Sequence, residues 1–110
     1  MILWLLLACA GAGAESATAC VEDSAGGHPT WANFGDSFFI TYCNACHSAS
    51  SPNRFGAPED RTFDTEDEVA GQSGDIRRTV ITEESMPLGG GLPPEDLETL
   101  DNYLTCLTGG

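Results

Sequence analysis

Cys43-Asn44-Ala45-Cys46-His47 sets two thiols three residues apart and puts an imidazole directly after the second. On a helical turn, residues three and four apart share a face, so both sulfurs and the ring project to the same side. Upstream, Trp31, Phe34, Phe38, Phe39 and Tyr42 recur at intervals of three and four. That spacing predicts a helix with one aromatic face running straight into the Cys/His turn. Gly35 interrupts the pattern, and a glycine inside a helix marks close approach of another backbone.

Downstream, periodicity is lost over residues 48–63, where Pro52, Gly56 and Pro58 indicate a loop. Thr65-Glu66-Asp67-Glu68 then matches the capping box, in which Thr65 accepts an orphan amide and Glu68 bonds back to the Thr65 amide, opening a short helix. Ser73-Gly74 breaks it, and Ile76 with Val80 predicts another short helix with Arg77 and Arg78 facing outward. Met86-Pro87 and the glycines at 89, 90 and 91 make residues 85–91 a loop. Pro93-Pro94 opens a last helix with Leu97, Leu100, Tyr103, Leu104 and Leu107 as its apolar stripe and Glu95, Glu98 and Asp101 outside, ended by Gly109-Gly110. With no repeat and no alternating strand pattern, the expected fold is all-α, three to five helices.

The length of 110 residues fits one domain, expected over residues 31–110. Seventeen acidic residues stand against four basic ones, all arginine, for a net charge of −13. Phosphate backbones would repel such a chain, so nucleic acid is not expected as a partner. Residues 1–8 are almost wholly apolar, too short to cross a bilayer, which needs about 20 residues, but similar to the apolar core of an export signal. The basic segment that precedes such a core is missing, and a start site further upstream is the preferred explanation. Leu6-Leu7-Ala8-Cys9 resembles a lipobox, which makes Cys9 a lipidation candidate and membrane attachment through it one outcome. A plain signal cleaved among the small residues 11–14 is the other. Residues 9–30, rich in Ala, Gly, Ser and Thr, read as a flexible tether, because they offer too little apolar surface to offset ordering.

C-x-x-C-H is the signature of covalent haem attachment. Cys43 and Cys46 would each form a thioether with a vinyl group, and His47 would take an axial position on the iron of one haem c. A thioredoxin-like dithiol needs a strand-then-helix setting, absent here. A zinc site needs four donors, and His28, Cys20 and Cys106 are scattered without a second paired spacing. For the sixth iron position, Met86 in its Met-Pro loop is preferred; His28 and an open site are the rivals. Cys20 and Cys106 remain as an even pair, expected to form a disulfide in an oxidising compartment.

The chain from Trp31 to Cys106 resembles a class I, mitochondrial-type cytochrome c domain of bacterial origin. The resemblance is carried by the aromatic helix with Gly35 and Phe38, the Cys43-to-His47 motif, a proline-bearing loop, the Met86-Pro87 loop and the terminal Leu100-to-Leu104 helix, in that order. It implies that the first and last helices cross near Gly35 and Tyr103. It also implies that the carbonyl of Pro58, or less readily Pro52, accepts the Nδ1 proton of His47, fixing the ring and raising its basicity. The lysine ring around the haem edge of many relatives is absent, so no particular redox partner carries over. The expected function is single-electron transfer between redox proteins that dock transiently, in the periplasm or at the cell surface, without substrate turnover. A five-coordinate haem sensor or enzyme, and an accessory subunit of a larger oxidoreductase, are the alternatives.

Overall fold

The computed structural model describes residues 19–109. The apolar segment 1–8, the lipidation candidate Cys9 and the tether through residue 18 lie outside them. The described residues are helical and contain no strand. A π-helical turn, Trp31–Gly35, leads into α1 (Asp36–Tyr42), and α2 (Asn44–His47) follows directly. After a loop come α3 (Glu66–Gly71) and α4 (Ser73–Ile76), the latter running into a second π-helical stretch, Arg77–Thr82. The Met86 loop then leads to α5 (Pro94–Thr108). No described helix is long and apolar enough to cross a membrane.

The expected helix ends are present. Thr65 Oγ1 accepts the Glu68 amide at 3.2 Å while the Glu68 carboxylate bonds back to the amides of Asp64 and Thr65. Gly109 closes α5 in the left-handed region at φ +83°, where a glycine pays no Cβ penalty. A second capping box went unread in the sequence, because its partner is Asn33 rather than Glu or Gln. Thr30 Oγ1 accepts from the Asn33 amide and Asn33 Oδ1 accepts from the Thr30 amide.

Phe38 and Phe39 of α1, Phe63 of the loop, Val69 of α3, Ile76 of α4, Val80 beyond it, and Leu100, Tyr103 and Leu104 of α5 form the core. Each such side chain contributes about 1.5–3 kcal/mol on full burial. The first and last helices meet where the resemblance implied. An added Cβ on Gly35 would stand 2.9 Å from the Tyr103 ring and 2.8 Å from that of Trp31, so only glycine fits. The Tyr103 hydroxyl donates to Glu66 Oε2 at 3.0 Å, tying α5 to α3.

Two expectations need correction. Arg77 and Asp101 do not both face solvent away from the fold: they form an ion pair, and Arg77 also reaches Thr105 Oγ1 at 3.3 Å, so the second π-helical stretch is strapped to α5. Residues 20–30 are not a free tether either. Cys20 is disulfide-bonded to Cys106 across 86 positions, and the Val21 amide and carbonyl bond reciprocally with the Asn102 side chain, both at 2.9 Å. Asp23 Oδ1 accepts the amides of Ala25 and Gly27 in a tight turn. Residues 21–27 are exposed, so these covalent and polar ties order the segment in place of apolar burial.

Candidate functional site

The Cys/His turn forms because α1 breaks at Cys43 (φ −125°, ψ −39°) and restarts at once, with the Cys46 and His47 amides donating to the Cys43 carbonyl at 3.2 and 3.0 Å. The chain then leaves α2 extended at Ser48 (φ −103°, ψ 148°). Residues 61–63 return alongside: the Phe63 amide donates to the His47 carbonyl at 2.9 Å, and Asn44 Nδ2 donates to the Phe63 carbonyl at 3.0 Å. The motif is therefore held from both sides by the end of the loop that follows it.

His47 Nδ1 lies 2.8 Å from the carbonyl oxygen of Arg61. A carbonyl can only accept, so Nδ1 carries a proton and Nε2 is the nitrogen that is left to act as a ligand. The ring also rests against Phe63, with centroids 4.9 Å apart. This corrects the assignment to Pro58, whose carbonyl instead accepts from the Arg61 amide at 3.0 Å and from the Arg54 guanidinium. The chain needs the three residues after Pro58 to turn back toward His47. Pro58 keeps a place in the wall of the site. Pro52 is exposed and makes no such bond.

Two contiguous cavities, about 230 and 300 Å³, open on this face and share Tyr42, Cys43, His47, Pro58, Met86 and Pro87 as lining. The first is walled by core residues including Phe39, Phe63, Ile76 and Val80. The second adds Cys46 and the exposed Phe55 and Leu88, 66% and 67% accessible, at its mouth. Together they form a largely apolar cleft of the size that ordinarily takes a small molecule or cofactor. Tyr42 at its edge donates to Asp96 Oδ2 at 3.0 Å, and that bond, ahead of burial, raises the phenol above its ordinary range.

Cys43 and Cys46 are not bonded to each other. Burial pushes the Cys43 thiol up to about 12. A redox dithiol or a thiolate nucleophile works through a lowered thiol pKa, and burial moves Cys43 the other way. Cys20, His28 and Cys106 do come together, their ligand atoms within 4.8 Å of one another. The disulfide engages both sulfurs, so this group offers no thiolate pair for zinc. His28 lines neither cavity at His47, whereas Met86 lines both.

Arg61, Phe63 and Arg54 were missed as site residues. Phe63 had one legible signal, as an aromatic at the end of a Pro- and Gly-punctuated loop. A backbone carbonyl such as that of Arg61 has no sequence signature. Compared with known protein families, with curated proteins and with solved structures, the chain gives no match.

Proposed function

We propose that this protein is a monohaem c-type cytochrome that carries single electrons. The observation that carries the reading is the convergence on one apolar cleft of Cys43, Cys46, His47 with its Nδ1 proton engaged, and Met86 from a loop 39 positions further on. The donor set fits a haem: two thiols three residues apart for thioethers, an imidazole whose Nδ1 is engaged by a carbonyl so that Nε2 is the nitrogen left for iron, and a soft thioether sulfur. A bound haem would supply one-electron exchange between ferrous and ferric iron. The chain's part is to hold and tune. Cys43 and Cys46 would anchor the group, His47 and Met86 would ligate its iron, the Arg61 carbonyl orients the imidazole, and Phe39, Phe63, Ile76 and Val80 would exclude water from the inner wall.

Electron transfer needs only brief, small-area docking of one cofactor edge on a partner. Phe55 and Leu88 at the mouth offer apolar contact, and the net charge of −13 favours redox proteins with a basic rim. Export to the periplasm or outer cell surface, with membrane attachment through Cys9 where it is lipidated, belongs to the same reading and is supported by the Cys20–Cys106 disulfide. The test is a spectroelectrochemical titration of protein coexpressed with a c-type haem maturation system. A single reversible one-electron wave and a low-spin reduced spectrum are expected. A protein that acquires no haem overturns the reading.

A further inference from the structure

We propose that Arg54 is a positioning residue for His47, holding in place the carbonyl that orients the imidazole. The inference rests on the reading of His47 as an iron ligand. Arg61, Arg77 and Arg78 each pair with a carboxylate. Arg54 instead directs its donors to backbone: Nη1 to the Ser48 carbonyl at 2.6 Å, Nε to that of Ala57 at 3.3 Å, and Nη2 to those of Pro58 and, at 3.4 Å, Arg61. Ser48 is where the chain leaves α2, and residues 57–61 are where it comes back. One planar fork therefore closes the loop on itself, which a flexible point donor such as lysine cannot reproduce.

The Arg61 oxygen is the same atom that receives the His47 Nδ1 proton at 2.8 Å. A carbonyl has two lone pairs and can serve both donors. A cation beside the site also favours ferrous over ferric iron through its charge. Arg54 thus acts twice: the fork keeps the Nδ1 bond in place, and the charge raises the reduction potential. The turn over residues 54–57, closed by the Ala57 amide on the Arg54 carbonyl at 2.9 Å, has positive φ at both central residues, Phe55 (48°) and Gly56 (88°). Positive φ is costly for phenylalanine. The Arg54 fork spans this turn and holds it.

The experiment uses matured full-length protein and three variants: Arg54→Gln, Arg54→Lys, and Arg78→Gln, which removes the same charge from the cleft wall without touching the Arg61 carbonyl. Two quantities are read, the midpoint potential and the hydrogen-exchange rate of the His47 Nδ1 proton by NMR of the reduced protein. Arg54→Gln should speed Nδ1 exchange about tenfold and shift the ferric-to-ferrous ratio about tenfold toward ferric, a fall of about 59 mV. Arg54→Lys should recover part of the potential but still exchange faster than wild type, and Arg78→Gln should leave Nδ1 exchange at the wild-type rate. Wild-type exchange and potential in Arg54→Gln, or equal effects of Arg78→Gln on both readouts, overturn the proposal. If Arg54→Gln does not mature, wild-type exchange in Arg54→Lys overturns it. A wild type that carries haem while these readouts stay unmoved refutes only the role of Arg54; a wild type without haem refutes the functional reading with it.

Discussion

Replacing Gly35 with alanine tests the helix crossing on which the whole arrangement stands. The new Cβ would lie 2.8 Å from Trp31 Cε3 and 2.9 Å from both Cζ and Oη of Tyr103, where carbon atoms ordinarily sit about 3.5–4.0 Å apart. Neither ring can retreat freely. Tyr103 is 1% exposed and its hydroxyl is held by Glu66 at 3.0 Å; Trp31 is stacked on Phe39 with centroids 6.2 Å apart. Overpacking of this kind costs about 1–3 kcal/mol, and three contacts under 3.0 Å put it toward the upper end. Alanine returns up to about 1 kcal/mol through helix propensity. The expected net loss is about 1–2 kcal/mol, or roughly 4–8 °C in Tm for each kcal/mol in a domain of this size. Urea unfolding followed by circular dichroism should show a lower midpoint with an unchanged slope. A variant as stable as wild type, or more so, would refute the close crossing.

Met86→Ala should keep its covalent haem yet bind carbon monoxide readily when reduced, while wild type and His28→Ala bind it poorly; equally fast binding by wild type would favour a sensor or enzyme with an open iron site. Replacing Cys20 and Cys106 together with alanine should lower stability by up to about 4.5 kcal/mol from loop entropy over 86 positions, and alkylation of unreduced, unfolded wild type should find neither thiol free. Tyr103→Phe removes the bond to Glu66 and should cost about 1 kcal/mol at neutral pH. Burial, and then that bond, raise the Tyr103 phenol from its ordinary 10.0, so the folded protein keeps a proton that the unfolded chain releases. This stabilisation is complete below pH 10 and declines as pH rises further, so the gap between wild type and Tyr103→Phe should narrow in alkaline urea titrations.

Periodicity and end signals made the helices readable. The aromatic spacing from Trp31, the Thr65 box and the Leu100-to-Leu104 stripe each report local geometry, and each appears where expected. Gly35 was legible because its lack of a side chain is itself the information. What the sequence hid is non-local or carried by backbone. The identity of the carbonyl at His47 depends on how residues 58–61 turn, and a shift of three residues in that turn leaves composition untouched. The order of residues 20–30 arises from a disulfide and from Asn102, partners some 80 positions away, which a composition window cannot sense. Arg77 looked solvent-facing on its own helix because its partner Asp101 belongs to another.

The most direct test of covalent haem attachment is intact-mass spectrometry of matured protein after denaturation and acid-acetone extraction, beside the Cys43→Ser/Cys46→Ser variant. The expected result is a wild-type chain heavier by one haem and a variant at the mass of bare polypeptide. A wild-type chain that loses its haem under these conditions would contradict covalent attachment through Cys43 and Cys46.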